Sequence, residues 1–494
     1  MLASQRDTNL VVAGAMLAIF LAALDQTVVV TALVTIAADL GDVALMSWVV
    51  TAYLLSSTCA TPIAGKLSDM LGRKWLILGS LAIFGLGAVL CAMATSMPML
   101  IVSRLIQGTG GGAVITVAQA TVADVVAPRE RGRYAGYFAI VHSTAAVMGP
   151  MIGGLVTQYA GWNWIFWISM LLCLPAIALV YVALRRLPNR RVAGARIDVP
   201  GVLLFVLAAV SLLLTFSMGG VKYPWLSAPI LGASAGAIVF GLLFARRQAT
   251  SPEPLLPPRF LRDPVIGRMY ATIACAFGCY LSVIVMTPIF FQIALGIPVA
   301  KVGMLLIPMT LTTSICAALG GFFTRTHGRY KPPGLLGLPL AAVALAVFAS
   351  LVHHMTPLGA ALLLMLVGAG IGPIFPTSMV SVQNAAPRRE IGAVTGGVLL
   401  SRTMGGALAT AVATSLVLGL IGVWVQGVDG LGGLDDLVRR PLSDAQRSSV
   451  IDVFAVLYAT VAAGLALAAI LLWRVVERPL LTRDDIARKT EPAD

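Results

Sequence analysis

The chain has 494 residues, of which 59% are hydrophobic and only 11% charged, with a formal net charge of +13. Its mean hydropathy is +0.93, and soluble globular domains are usually about 45–50% apolar, so this is a membrane protein. The basic excess does not indicate nucleic acid, because that needs basic residues gathered on one face, whereas here they lie between apolar runs.

A helical span needs about 20 mostly apolar residues. Fourteen are expected, at 10–37, 46–64, 75–94, 98–122, 134–158, 163–184, 198–218, 225–245, 266–292, 300–323, 334–353, 358–383, 392–420 and 450–473. No cleavable leader is expected, because the first apolar run continues past Asp25 without a small-residue cleavage site. The six cysteines all fall inside apolar runs and are read as reduced packing residues. Cys275 and Cys279 share a helix face, but two thiols alone make a poor metal site. No metal is expected.

Charge gives the orientation. With the N-terminus inside, 27 of the 34 basic residues fall in cytoplasmic segments, which obeys the positive-inside rule and puts both termini in the cytoplasm. A repeat gives the organisation. The hinge Gly65-Lys-Leu-Ser-Asp-Met-Leu-Gly-Arg-Lys74 recurs 256 residues later as Gly321 to Lys331. Gly108-Thr-Gly110-Gly-Gly112 has a counterpart in Gly368-Ala-Gly370-Ile-Gly372, and Ala127-Pro128-Arg129 in Ala386-Pro387-Arg388. The expected fold is all-α, with an N-terminal six-helix bundle (1–190), an inserted two-helix hairpin (191–250) and a C-terminal six-helix bundle (251–475). An outer loop at 421–449 and a charged, mobile cytoplasmic tail at 476–494 complete it.

Four stretches carry a resemblance: Leu24-Asp25-Gln26-Thr27, the hinge from Gly65 to Lys74, Arg104-Leu-Ile-Gln107-Gly108-Thr-Gly110, and Gly149-Pro150-Met-Ile-Gly153-Gly154. Together they resemble the major facilitator superfamily, in its fourteen-spanning drug/proton antiporter branch, over nearly the whole chain. The resemblance implies proton coupling through Asp25 and Arg104. It implies an inner gating loop at Gly65, Asp69, Gly72, Arg73 and Lys74, and an antiporter motif at Gly149, Pro150, Gly153 and Gly154, in which Ala145 stands where relatives usually carry glycine.

The residues themselves support the first of these. Asp25 is the only acid deep in a span, and a lone carboxylate in hydrocarbon costs about 2.5–3.5 kcal/mol on insertion scales. Asp25 lies 15 residues into one helix and Arg104 about 18 residues from the inner end of an antiparallel one, heights of roughly 22 and 27 Å, which one arginine side chain bridges. Burial disfavours a charged carboxylate and a nearby guanidinium favours it, so a site that opens alternately to two sides can change its proton affinity. A static brace is the alternative reading. For the hinge, plain positive-inside orientation is the alternative, and for the glycine motif, generic helix packing.

His142, seven residues before Gly149, is a candidate proton or substrate contact, or a structural histidine. Arg402 either faces a cavity or snorkels. Gln26, Gln107, Gln119 and Gln292 are candidate polar contacts, and Tyr53, Phe138 and Phe291 candidate apolar ones. The expected function is export of a small amphipathic compound in exchange for protons, by rocking two bundles about a midplane site in a bacterial cytoplasmic membrane. The rivals are a dedicated metabolite carrier of the same fold and, from another class, an integral-membrane transferase, which would need a cluster of catalytic groups. No enzyme activity and no cofactor are expected, the proton gradient supplying the drive. The expected partners are a substrate, protons and lipid, with no nucleic acid; a monomer is one open reading of the oligomeric state, and a trans-envelope partner is left open.

Overall fold

Inside a bilayer every backbone polar group needs an internal partner, which leaves apolar runs of this length only the helix. The computed structural model describes residues 5–41, 45–185, 197–219, 223–297, 299–425 and 443–480. The arginine-rich 186–196 segment, most of the expected outer loop (426–442) and the tail from 481 lie outside the described residues. The first six long helices are α1 (Gln5–Leu40), α2 (Met46–Leu71), α3 (Arg73–Ala92), α4 (Met97–Val125), α5 (Arg131–Tyr159) and α6 (Asn163–Leu184). Then come α7 (Val199–Met218), α8 (Ala228–Thr250) and the short α9 (Pro258–Arg262). The last set is α10 (Ile266–Ala294), α11 (Val299–His327), α12 (Lys331–Ser350), α13 (Pro357–Ile371), α14 (Ile374–Ala385), α15 (Ile391–Trp424) and α16 (Asp444–Trp473). The described residues form no β-strand.

Thirteen helical segments among the described residues are long and apolar enough to cross a membrane, α13 and α14 counting as one. The expected fourteenth, α2, is 26 residues long but falls short in hydropathy. It carries Ser56, Ser57, Thr58, Thr61, Lys66 and Asp69, and it can do so because it is packed between α4 and α15 rather than turned to lipid. The span expected at 358–383 is broken where Pro373, which has no N–H, follows Gly372.

The duplication persists in local structure. Both hinges turn on a glycine of positive φ, Gly72 at 93° and Gly328 at 70°, a conformation that a side chain would strain. Ser96 and Thr356, 260 residues apart, cap α4 and α13 by accepting the backbone N–H of Met99 and Gly359, the usual role of hydroxyl residues at a helix start. The glycine runs pack helices closely. A Cβ on Gly110 would lie 2.4 Å from the Phe84 nitrogen of α3, and one on its repeat mate Gly370 would lie 2.3 Å from the Gly337 oxygen of α12.

The hairpin leans on the rest through α7, whose Phe205 and Ala209 pack with Cys59, Ile63 and Leu400 of α2 and α15. Asp198 anchors it. Its carboxylate accepts the Gly201 N–H at 3.2 Å and the Arg247 Nε at 3.0 Å, tying the start of α7 to the end of α8. Burial alone would raise the Asp198 pKa, but hydrogen bonds from Arg247, Ser251 and Gly201 outweigh it and hold the carboxyl below the usual range. A depressed carboxylate contributes stability above its unfolded value and loses it as pH falls. Asp198→Asn is therefore expected to lower the melting temperature at neutral pH, with the gap from wild type narrowing as pH drops toward about 4.

The start of the tail departs from expectation. Glu477 accepts the backbone N–H groups of Tyr330 and Lys331 at 3.1 and 3.2 Å, and Arg478 pairs with Asp263 at 3.1 Å. A carboxylate at the exposed N–H groups of α12 is held by charge-assisted bonds, so residues 476–480 are docked rather than mobile.

Candidate functional site

Asp25 and Arg104 meet. The guanidinium Nη1 lies 2.6 Å from the Asp25 carboxylate, and both side chains are 1% exposed or less. The carboxylate also accepts Gln107 Nε2 at 2.8 Å and Ser169 Oγ at 3.1 Å. Arg104 donates in addition to Gln107 Oε1 at 2.8 Å and to the Val49 carbonyl at 3.3 Å, and its Cζ lies 4.2 Å from the centroid of the Tyr53 ring. Four helices, α1, α2, α4 and α6, thus converge on one charge pair. Gln107 is corrected by this geometry. Three residues after Arg104, it shares a helix face with it and completes the pair instead of meeting a substrate. Tyr53 likewise braces the guanidinium.

The hinge forms a brace at the end of the bundle that carries the basic loops. Asp69, in the last turn of α2, accepts the backbone N–H groups of Gly392 and Ala393 at 2.9 and 2.8 Å. These are free donors at the start of α15, where the helix dipole favours an anion. Arg73 holds Asp69 at 2.6 Å and Asp124 at 2.8 Å, and Ser68 as well. Gly65 is required here, since a Cβ on it would lie 2.3 Å from the Gly392 oxygen. Lys66 reaches Glu253, beyond α8, at 2.8 Å. Lys74 stays outside this network and lies over the rings of Trp75 and Tyr181.

The second hinge is braced with the opposite sign. Arg325 stands at the repeat position of Asp69, but what acts there is its carbonyl, which accepts Arg129 Nε at 2.8 Å while the Thr326 carbonyl accepts Nη2 at 2.5 Å. The free carbonyls at the end of α11 take a cation, as the free N–H groups of α15 take an anion. Arg131 adds a link from the Gln383 carbonyl to the Ala123 carbonyl at 3.0 and 2.8 Å. Arg129 was legible only as part of the repeated Ala-Pro-Arg.

Above these braces lies a cavity of about 170 Å³ between α4, α5, α10, α11, α14 and α15. His142 and Arg402 both line it, with Gln119 and Phe138. Arg402 sits over the rings of Phe277 and Phe375 at 4.6 and 5.5 Å, and Gln119 Oε1 is buried without a partner. Three expected contacts are elsewhere. Gln292 donates to the Pro288 carbonyl of its own helix, Gln26 turns to Tyr53, and Phe291 is wholly buried in the hydrophobic core.

The glycine motif divides. Gly149 and Gly153 press on α1, where added Cβ atoms would lie 1.9 Å from Thr27 Oγ1 and 2.3 Å from Thr31 Oγ1. Thr27 also donates to the Ala145 carbonyl at 3.1 Å, an approach that alanine permits. Gly154 faces open space and Pro150 is exposed. Gly154 therefore does not serve the close helix contact expected of it, because it points away from α1. The six cysteines are free thiols.

An all-helical membrane bundle with an internal repeat, a charged brace at one end and a central cavity defines a transporter fold. The chain belongs to the Major Facilitator Superfamily, whose family model matches residues 15–410. It is 35% identical over 404 residues to an uncharacterized MFS-type transporter of Mycobacterium tuberculosis, covering 82% of this chain and 58% of that one. The chain thus spans little more than half the length of that relative. It is 32% identical to the multidrug transporter protein MdtP of Bacillus subtilis, over 81% of this chain and 74% of the other. Among solved structures it resembles the proton:xylose symporter XylE, with a TM-score of 0.63 at 14% identity over 99% and 100% of the two chains. The human organic anion transporter MFSD10 gives 0.61 at 17% over 94% and 99%. These likenesses concern the fold.

Proposed function

We propose that the chain is a proton-coupled antiporter of the fourteen-spanning drug/proton branch, which exports small amphipathic compounds across a bacterial cytoplasmic membrane by alternating access. The basic end and both termini face the cytoplasm in this reading, as the positive-inside rule requires. The observation that carries it is the fully buried Asp25–Arg104 pair. A charge pair removed from both water and the cavity is a costly element and a natural place for a proton to act. Protonation of Asp25 removes the counter-charge of Arg104 and loosens the meeting point of α1, α2, α4 and α6. The braces at Asp69 and Arg129 keep the cytoplasmic end closed until that network shifts. Substrate taken up from the cytoplasm is then released outside, and proton inflow drives the cycle. Similar proteins named as efflux pumps, such as FUS6 of Gibberella moniliformis, support the direction of transport.

The test uses proteoliposomes with an acid-loaded lumen and a pH-sensitive dye, to which candidate compounds are added. Proton efflux evoked by a compound and matched by its uptake is the expected result. Uptake of a compound without proton movement would contradict the antiport.

A further inference from the structure

The cavity holds a cation for which the described residues provide no counter-ion. Arg402 makes ring contacts with Phe277 and Phe375, and among the described residues no hydrogen bond or ion pair engages its guanidinium. No described aspartate or glutamate lines the cavity. The contrast with Arg104 is direct, since that guanidinium is matched by a carboxylate, an amide oxygen and a carbonyl. The two rings attract the guanidinium through their π faces without taking up its N–H donors, so its fork of donors is available to acceptors. That fork matches a carboxylate or sulfonate bidentately. The rest of the wall is largely apolar, with Phe138, Ile273 and Val398, and the hydroxyls of Thr310, Thr313 and Ser378 add neutral polar contacts.

From this geometry we infer that the cavity selects an amphipathic organic monoanion, its carboxylate or sulfonate on Arg402 and its apolar body among the aromatic and aliphatic side chains. A cation finds like charge at Arg402 and no acid to pair with, so the same site disfavours it. The inference rests on the transport reading only in taking this cavity as the substrate site.

The experiment is equilibrium binding to purified full-length protein in detergent without any gradient, corrected against protein-free micelles. Three probes share one apolar body: 2-naphthoate, 2-naphthamide and (2-naphthylmethyl)trimethylammonium. Naphthoate is expected to bind at least tenfold more tightly than the amide, and the ammonium compound weakest. Arg402→Gln should erase the preference for naphthoate, and Arg402→Lys should keep part of it, since the charge stays while the fork is lost. Equal or tighter binding of the amide or the cation, unchanged naphthoate binding in Arg402→Gln, or no naphthoate binding at all would each overturn the assignment. The wild-type ranking decides by itself if a variant does not fold. Because no gradient is present, loss of the ranking removes the substrate class alone, whereas a kept ranking with no proton exchange in vesicles removes the antiport alone.

Discussion

Asp25→Asn is expected to abolish transport driven by a pH gradient and to be the more destabilising of the two single changes at the buried pair. Breaking a buried ion pair from one side costs about 3–5 kcal/mol, because the remaining charge is left uncompensated. The two sides are unequal. A carboxyl left alone by Arg104→Gln can take up a proton and become neutral, whereas a guanidinium left alone by Asp25→Asn keeps its charge. The double variant Asp25→Asn/Arg104→Gln buries no charge, and Gln107 and Ser169 remain to hydrogen-bond the amides. It should recover most of the lost thermal stability. If the pair carries the proton, the double variant still fails to couple: substrate counterflow without a gradient persists while pH-driven accumulation is absent. If the pair is a static brace, recovery of stability brings recovery of pH-driven transport. Thermal unfolding and the two transport assays on the same four proteins separate these outcomes.

Asp69→Ala is expected to open the end of the bundle that carries the basic loops, which faces the cytoplasm in the proposed orientation. It removes two charge-assisted bonds to the start of α15 and the ion pair to Arg73, and a hydrogen bond to a charged group contributes about 1.5–3 kcal/mol. A loss of about 2 kcal/mol shifts a two-state balance roughly 30-fold. Arg129→Ala should act in the same direction, because it frees the end of α11. The readout is a cysteine at Ser143, in the cavity wall, in a background whose native cysteines are replaced. Inside-out vesicles are treated with a membrane-impermeant thiol reagent. Labelling at least tenfold faster in both variants than in the parent is the expected result. Unchanged labelling with unchanged transport would reduce the hinge to an orientation signal.

Much of this was legible in the sequence, for reasons that differ by residue. The hinges were, because a tight reversal demands a glycine of positive φ, and Gly72 and Gly328 sit in basic stretches that repeat. The Asp25–Arg104 pair followed from counting residues along two antiparallel helices, since the rise per residue is constant and an isolated buried acid needs a partner. Gln107 was misread although its place one turn from Arg104 put it on the same face; Ser169 came from a distant span with no pattern to mark it. Arg129 was hidden because it grips backbone carbonyls, which no sequence motif displays. Gly154 and Lys74 belong to recognisable stretches but turn away from the contacts those stretches make, a matter of helix rotation that composition does not encode. The aromatic seat of Arg402 required the meeting of α10, α14 and α15.

In the proposed antiport, substrate and proton are exchanged through Asp25. The most direct measurement is proton release in weakly buffered detergent solution when a transported compound is added to purified protein, followed with a pH indicator. Wild type should release protons in proportion to the compound bound, and the Asp25→Asn/Arg104→Gln protein should bind the compound and release none. Binding without proton release in wild type, or equal release from the double variant, would rule out proton exchange through Asp25.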